Sequence, residues 1–269
     1  MQTVESLFDN LWTQYVAINP QAHSIHQLLQ QRGEHVINDH IALRTFNHPH
    51  LNIDAIAQVF VDLGYQKIDN YVFEEKKLDA AHYQHLENPH FPKVFISELK
   101  TELFSQELQD IINDCVSQVP NDAAAEGDFI FSGRPWSLAF PDYIRLLQES
   151  EYAAWTAAYG YCANHFTVSL NHLTTFFQLE DLNQFLKDAG FKLNDSGSEI
   201  KGTPESLLEQ SSTMAPLVKV RFDDSEHIIP GCFYEFAKRY PLNDGRLFQG
   251  FIAANADKIF ESTNAKSTR

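Results

Sequence analysis

The sequence predicts an α+β fold built from two βαβββ-type modules, with added helices ahead of the first module and between the two. Three observations predict it. Two strand-like stretches, 40–46 and 165–170, each lead into an amphipathic helical stretch that stops at a glycine followed by an aromatic residue: Gly64-Tyr65 and Gly190-Phe191. The spacing is nearly the same in both: 24 residues from His40 to Gly64 and 25 from His165 to Gly190. About three further strand candidates follow each glycine. Together these read as an internal repeat interrupted by a helical insert.

Taken in order, residues 1–32 predict two helices. Val4, Leu7, Phe8, Leu11, Trp12 and Tyr15 fall on one face at i, i+3, i+4 spacing, Asn19-Pro20 breaks the first helix, and Gly33 stops the second. His40–Phe46 follows as a strand. The next helix has Asp54 as its expected N-cap and Gly64 just past its C-terminus. Strands are expected at 71–74, 81–86 and 93–99, and helices at 102–118 and 141–158. FIFSGRPW (129–136) reads as a short strand and turn. In the second module a strand at 165–170 precedes a helix at 180–189, with Leu182, Phe185 and Leu186 inward. Further strands are expected at 207–213, 218–222 and 231–237. The closing ESTNAKSTR (261–269) is polar and expected to fray.

Composition narrows the function. With 43% hydrophobic and 21% charged residues, the chain is an ordinary globular one, and its 21 Phe and 10 Tyr predict a core rich in rings. Twenty basic against 36 acidic residues give a net charge of −16, which would repel nucleic acid and anionic membranes. No run approaches the roughly 20 apolar residues of a membrane span. The N-terminus lacks a cationic start before an apolar stretch, so no signal peptide is read there and the expected location is cytoplasmic. Cys115, Cys162 and Cys232 are an odd set, read as small buried hydrophobes.

Side chains alternate faces along a strand. His40, Ala42 and Arg44 therefore share one face, as do His165, Thr167 and Ser169, while Phe233 and Glu235 share a face of the last strand. A carboxylate among Phe233, Tyr234 and Phe236 is costly unless paired or metal-bound. Two imidazoles and one carboxylate suit non-haem Fe(II), and also Zn(II). Singly, each residue is more often structural. Glu235 has Lys238 and Arg239 as possible partners, and Arg44 could be a structural ion pair. The repeat raises the weight of the histidines, because both open their modules. Odd offsets place Cys162, Cys232 and His172 on opposite faces from the candidate ligands. Glu98 sits roughly where Glu235 sits in its module, and is either a second cavity carboxylate or an ion-pair partner.

NDHIALRTF (38–46), NHFTVSL (164–170) and FYEFAKR (233–239), with GRPW and YAAWT (152–156), make the pattern recognisable. The chain resembles the vicinal oxygen chelate superfamily, and more specifically the 2-oxoadipate dioxygenase/decarboxylase (hydroxyglutarate synthase) family. That resemblance implies a curved mixed sheet around a metal. It implies Fe(II) held by His40, His165 and Glu235, with Arg44 binding substrate and no catalytic residue beyond the metal centre. The implied reaction is dioxygen-dependent oxidative decarboxylation of a 2-oxo acid, 2-oxoadipate to 2-hydroxyglutarate and CO2, in lysine catabolism. Longer members of the family carry further C-terminal sequence that helps form the substrate pocket, so the metal site is expected to carry over more fully than the specificity. The alternatives are a Zn hydrolase, lyase or isomerase on the same scaffold, or a non-catalytic small-molecule binder. The expected organisation is one metal-binding domain over 1–269: N-terminal helices in 1–35, module 1 in 36–100, helical insert in 101–160, module 2 in 161–240 and a C-terminal segment in 241–269.

Overall fold

The computed structural model describes residues 2–263. It opens with α1 (Val4–Ile18) and α2 (Pro20–Gln31). Thr3 caps α1 in a reciprocal box with Ser6, and Pro20 starts α2 where a missing N–H does no harm. The α1 stripe buries Leu7, Leu11 and Tyr15, as its spacing predicts.

The first module is β1 (Asn38–Phe46), α3 (Ile53–Asp62), β2 (Tyr65–Phe73), β3 (Leu78–His85) and β4 (Lys93–Leu99). The cap of α3 is Asn52, whose side chain accepts from Ala55 N, not Asp54. Asp54 lies in the first turn and pairs with Lys67. β2 begins at Tyr65, earlier than expected. It is an edge strand whose Gln66–Asn70 stretch is solvated, so it carries no apolar alternation to read. The insert holds α4 (Gln106–Ser117), α5 (Phe140–Glu149) and α6 (Glu151–Tyr159). The single stretch expected at 141–158 is split, because Ser150 is extended and caps α6 by accepting from Ala153 N. The strand expected near 129–136 is instead a 3₁₀ turn, Phe129–Phe131. Phe129 and Ile130 are apolar because they are buried, and Phe129 packs on Tyr161 with a 4.3 Å centroid separation.

The second module is β5 (Ala163–Ser169), α7 (Leu179–Asp188), β6 (Lys201–Thr203), β7 (Leu208–Ser212), β8 (Leu217–Arg221), β9 (Glu226–Pro230) and β10 (Phe233–Arg239). The strand expected at 218–222 does not join the main sheet. β8 pairs only with β9, as a separate two-stranded ribbon, and its exposed and half-exposed residues alternate. β6, only three residues long and containing Gly202, takes the place in the sheet. Last comes α8 (Ala253–Ile259), which runs into a 3₁₀ turn at Phe260–Thr263.

One curled mixed sheet of eight strands results, in the order β2-β3-β4-β1-β5-β10-β7-β6. The halves match: β1 is parallel to β4 in the first module and β5 is parallel to β10 in the second. β1 and β5 meet antiparallel at the centre. α1 covers one face there, with Trp12 and Tyr15 packed on Phe166 at 5.1 and 5.0 Å. The other face carries His40, His165 and Glu235 and is covered by Phe251, α8 and the turn after it.

Candidate metal centre

Strand register assembles the site. On β1 and β5, His40 lies opposite Thr167 and Ala42 opposite His165. On β5 and β10, His165 lies beside Phe233 and Thr167 beside Glu235. Three neighbouring strands thus deliver His40, His165 and Glu235 to one face. All three are buried, and their ligand-capable atoms lie within 4.8 Å of one another. His40 Nε2 is 3.5 Å from Glu235 Oε1, and His165 Nε2 is 3.2 Å from Glu235 Oε2. The two rings are near perpendicular, at 84° and 5.5 Å.

Two residues not singled out by the sequence reading orient the rings. Asp39 Oδ1 lies 2.8 Å from His40 Nδ1, and Asn164 Oδ1 lies 3.1 Å from His165 Nδ1. Each contact makes Nδ1 the donor and turns Nε2 to the centre, where His40 Nε2 also lies 3.1 Å from Thr167 Oγ1. Their signal was present, since each immediately precedes its histidine. Strand alternation nevertheless points such a neighbour to the other face. The β1–β5 ladder skips both residues, Asp39 between Asn38 and His40 and Asn164 between Ala163 and His165, and these bulges re-aim them. Burial pushes the Asp39 carboxyl up, but Arg239, the His40 contact and Lys93 together hold it well below the usual carboxylate range.

The electrostatics fit a divalent cation. Burial raises the Glu235 pKa by more than His40 and the Gln210 hydrogen bond lower it. Gln210 Nε2 donates to Oε1 at 2.7 Å, whereas Oε2 accepts no hydrogen bond among the described residues. Burial, then the charges of His40 and Arg44, hold the His165 imidazole well below its ordinary pKa, so it presents a neutral nitrogen. A buried carboxylate oxygen without a donor, facing the neutral His165 imidazole, matches the donor set of a metal. The alternative partners of Glu235 are engaged elsewhere. Arg239 donates to both Asp39 oxygens at 2.7 and 2.8 Å, and Lys238 donates to Gln178.

Other candidates fall into place. Arg44 is buried on the His40 face, with its guanidinium 4.8 Å over Tyr152 and 4.9 Å over Trp155. Its Nη2 donates to Thr263 Oγ1 at 3.1 Å and Nη1 is 3.6 Å from Glu151, while Nε and Nη1 make no hydrogen bond. Thr263 lies in the segment expected to fray. Ser262 and Thr263 are in fact buried, and 264–269 lie outside the described residues. Glu98 is no cavity carboxylate, because Lys93 pairs with His40 as Phe233 pairs with His165, and two residues on lie Phe95 and Glu235. Phe95 is therefore the counterpart of Glu235. Glu98 faces away and accepts from Ile53 N at 2.8 Å, at the start of α3. Cys162 and Cys232 are buried thiols outside the cluster, and the exposed His172 contacts Ser169 Oγ.

A family model described as 2-oxoadipate dioxygenase/decarboxylase matches residues 3–126 and 134–249. The chain belongs to this family. A curated relative from Arabidopsis thaliana, the chloroplastic 2-oxoadipate dioxygenase/decarboxylase, is 34% identical over 96% of this chain and 76% of its own length. The crystal structure of hydroxyglutarate synthase in complex with 2-oxoadipate from Oryza sativa is similar at TM-score 0.90 and 35% identity. That match covers 98% of this chain and 93% of that one. A protein from Shewanella frigidimarina NCIMB 400, provisionally named a hydrolase, is 54% identical at TM-score 0.89, covering 94% of this chain and all of that one. A glyoxalase-superfamily structure from Ralstonia eutropha JMP134 shares the fold at TM-score 0.76 and 22% identity, over 92% of this chain and 85% of its own.

Proposed function

We propose that this member of the family is an Fe(II)-dependent dioxygenase that oxidatively decarboxylates a 2-oxo acid, with 2-oxoadipate converted to 2-hydroxyglutarate and CO2 as in lysine catabolism. The observation that carries the reading is the buried Glu235 carboxylate, whose unpartnered Oε2 lies 3.2 Å from His165 Nε2 and whose Oε1 lies 3.5 Å from His40 Nε2. These three residues would hold the ion. Bound there, Fe(II) would supply a centre that chelates the carboxylate and keto oxygens of the substrate and activates dioxygen.

The chain's own residues do the rest. Asp39 and Asn164 fix the imidazole tautomers. Gln210 holds one Glu235 oxygen and leaves the other for the ion. Arg44, with an Nε and an Nη1 that make no hydrogen bond, would take the distal carboxylate of the substrate. A divalent cation, one carboxylate ligand and one arginine leave a positive site that complements a dicarboxylate. Phe251, Ile259 and Phe260 cover the centre with apolar surface.

The test is elemental analysis of protein purified without air, followed by oxygen uptake across 2-oxo dicarboxylates. Bound iron with uptake on 2-oxoadipate supports the reading. Stoichiometric zinc without uptake replaces it with a hydrolase, lyase or isomerase, a reading in line with the name of the Shewanella relative. Arg44→Ala is expected to lower kcat/KM for dicarboxylic 2-oxo acids by about 10- to 150-fold while metal content is retained. Loss of metal in that variant would make Arg44 a structural support. We further propose a cytoplasmic location, in keeping with three buried cysteines outside any disulfide. The plant relatives are named chloroplastic, so fractionation of the native host decides this point.

A further inference from the structure

The cavity at the metal centre offers about 20 Å³, enough for an ion or one water but not for a dicarboxylic acid. A larger cleft of about 250 Å³ opens at the N-terminal end of β1, lined by Asp39, Lys93, Arg239, His172 and His90 among others. Lys93 stands beside His40 in the parallel β1–β4 register, so its side chain leaves the same face of the sheet one strand away. The residue is only 7% exposed, and its ammonium makes no hydrogen bond and no close ion pair among the described residues. Asp39 attracts the ammonium from beyond ion-pair distance and leaves its hydrogen-bond donors unused. Arg239 cannot relieve it as a donor to a ligand, since its nitrogens already serve Asp39, Phe248 O and Gly250 O. It adds charge, however, so the cleft is net positive in a chain of net charge −16. Burial lowers the Lys93 pKa to about 8, which still leaves it mostly protonated near neutrality.

Phe251 divides this cleft from the metal centre. Its ring stands edge-on to His40 at 4.8 Å on one side and lies 5.3 Å from the Arg239 guanidinium on the other. The cleft near the Arg44 end is a poor entrance for an anion, because Glu75, Glu149, Glu151 and Glu261 outnumber Lys76 and Lys77 there.

We propose that the Lys93 cleft is a carboxylate-binding antechamber that gathers the anionic substrate one aromatic ring away from the metal centre. The proposal rests on reading the chain as a 2-oxo acid enzyme, but it is tested without metal or turnover. Glutarate, a dicarboxylate with no keto group, is titrated calorimetrically into metal-free protein and its Lys93→Met and Lys93→Arg variants. Wild type is expected to bind, Lys93→Met to bind at least about 10-fold more weakly, and Lys93→Arg to bind within a few-fold of wild type. Lys93 makes no hydrogen bond among the described residues, so Lys93→Met should still fold, and Lys93→Arg reports on the site if Lys93→Met does not. Absence of glutarate binding in wild type or equal binding in Lys93→Met would overturn the antechamber. Absent oxygen uptake would instead overturn the proposed reaction, so the two failures are distinguishable.

Discussion

Asp39 and Asn164 hold equivalent places before the two histidines, yet they differ in what else they carry. Asp39 also neutralises Arg239, which is 3% exposed, whereas the Asn164 amide nitrogen makes no hydrogen bond among the described residues. Asn164→Ala should therefore weaken metal binding by about 10- to 100-fold with only about 1 kcal/mol of lost stability. Asp39→Ala should in addition strand a buried guanidinium, at about 3–5 kcal/mol. Chelator competition and urea unfolding measure the two quantities. Equal stability losses in both variants would show that Arg239 does not depend on Asp39. Residues 39 and 164 escaped the sequence reading because alternation turns a neighbour of a ligand away, and only the bulges at Asp39 and Asn164 in the β1–β5 ladder reverse this.

At the scale of elements, the strap from Leu247 to Phe251 closes over the site through side chains of β2 and β3. Phe251 N donates to Tyr71 Oη at 3.2 Å, Tyr71 Oη meets His82 Nδ1 at 2.9 Å, and Gln84 bridges His82 Nε2 and Gln249 O. With Gln84 donating to Nε2, His82 carries its proton on Nδ1 and must be neutral. Burial, then Arg239, lowers its pKa from 6.5 to about 4. The fold thus favours neutral His82. This contribution is complete above pH 6.5, where the unfolded chain is neutral too, and is lost as pH falls from 6.5 towards 4. An NMR titration should find His82 still neutral at pH 5, and a midpoint near 6.5 would contradict the network. Another element depends on Gly160, at the junction of α6 and β5. Its φ is +64°, and a Cβ there would lie 2.3 Å from Gly133 O and 2.5 Å from Arg134 Cα. Gly190, at the end of α7, has φ +90° but nothing within 4 Å. Gly190→Ala should cost about 1–2 kcal/mol in urea unfolding. Gly160→Ala should cost clearly more, because backbone has to move.

For the whole molecule, the proposed metal couples strands of both modules, His40 on β1 with His165 and Glu235 on β5 and β10. Binding to the folded state alone stabilises it by about 2.7 kcal/mol at 100 times Kd. For a chain of this size that raises Tm by roughly 5–10 °C. Thermal scans with and without added Fe(II) under anaerobic conditions measure it, and His165→Ala should abolish the shift. A full shift retained in that variant would place the ion elsewhere.

The repeat was legible in the sequence because its signals are local. A strand, an amphipathic helix and a glycine at the helix end recur at matched spacing, and Gly64 and Gly190 do take positive φ. Strand parity then put Arg44 on the face of His40 and set Cys162, Cys232 and His172 apart from the candidate ligands, as the coordinates have it. Tertiary structure decided what depends on distant partners. Lys93 in register with His40 made Phe95, not Glu98, the counterpart of Glu235. The half-exposed alternation of β8 suited a separate ribbon once β6 had taken the sheet edge. The polar stretch through Ser262 and Thr263 became buried because Arg44, some two hundred residues earlier, gives Thr263 a hydrogen-bond partner that no local reading could reveal.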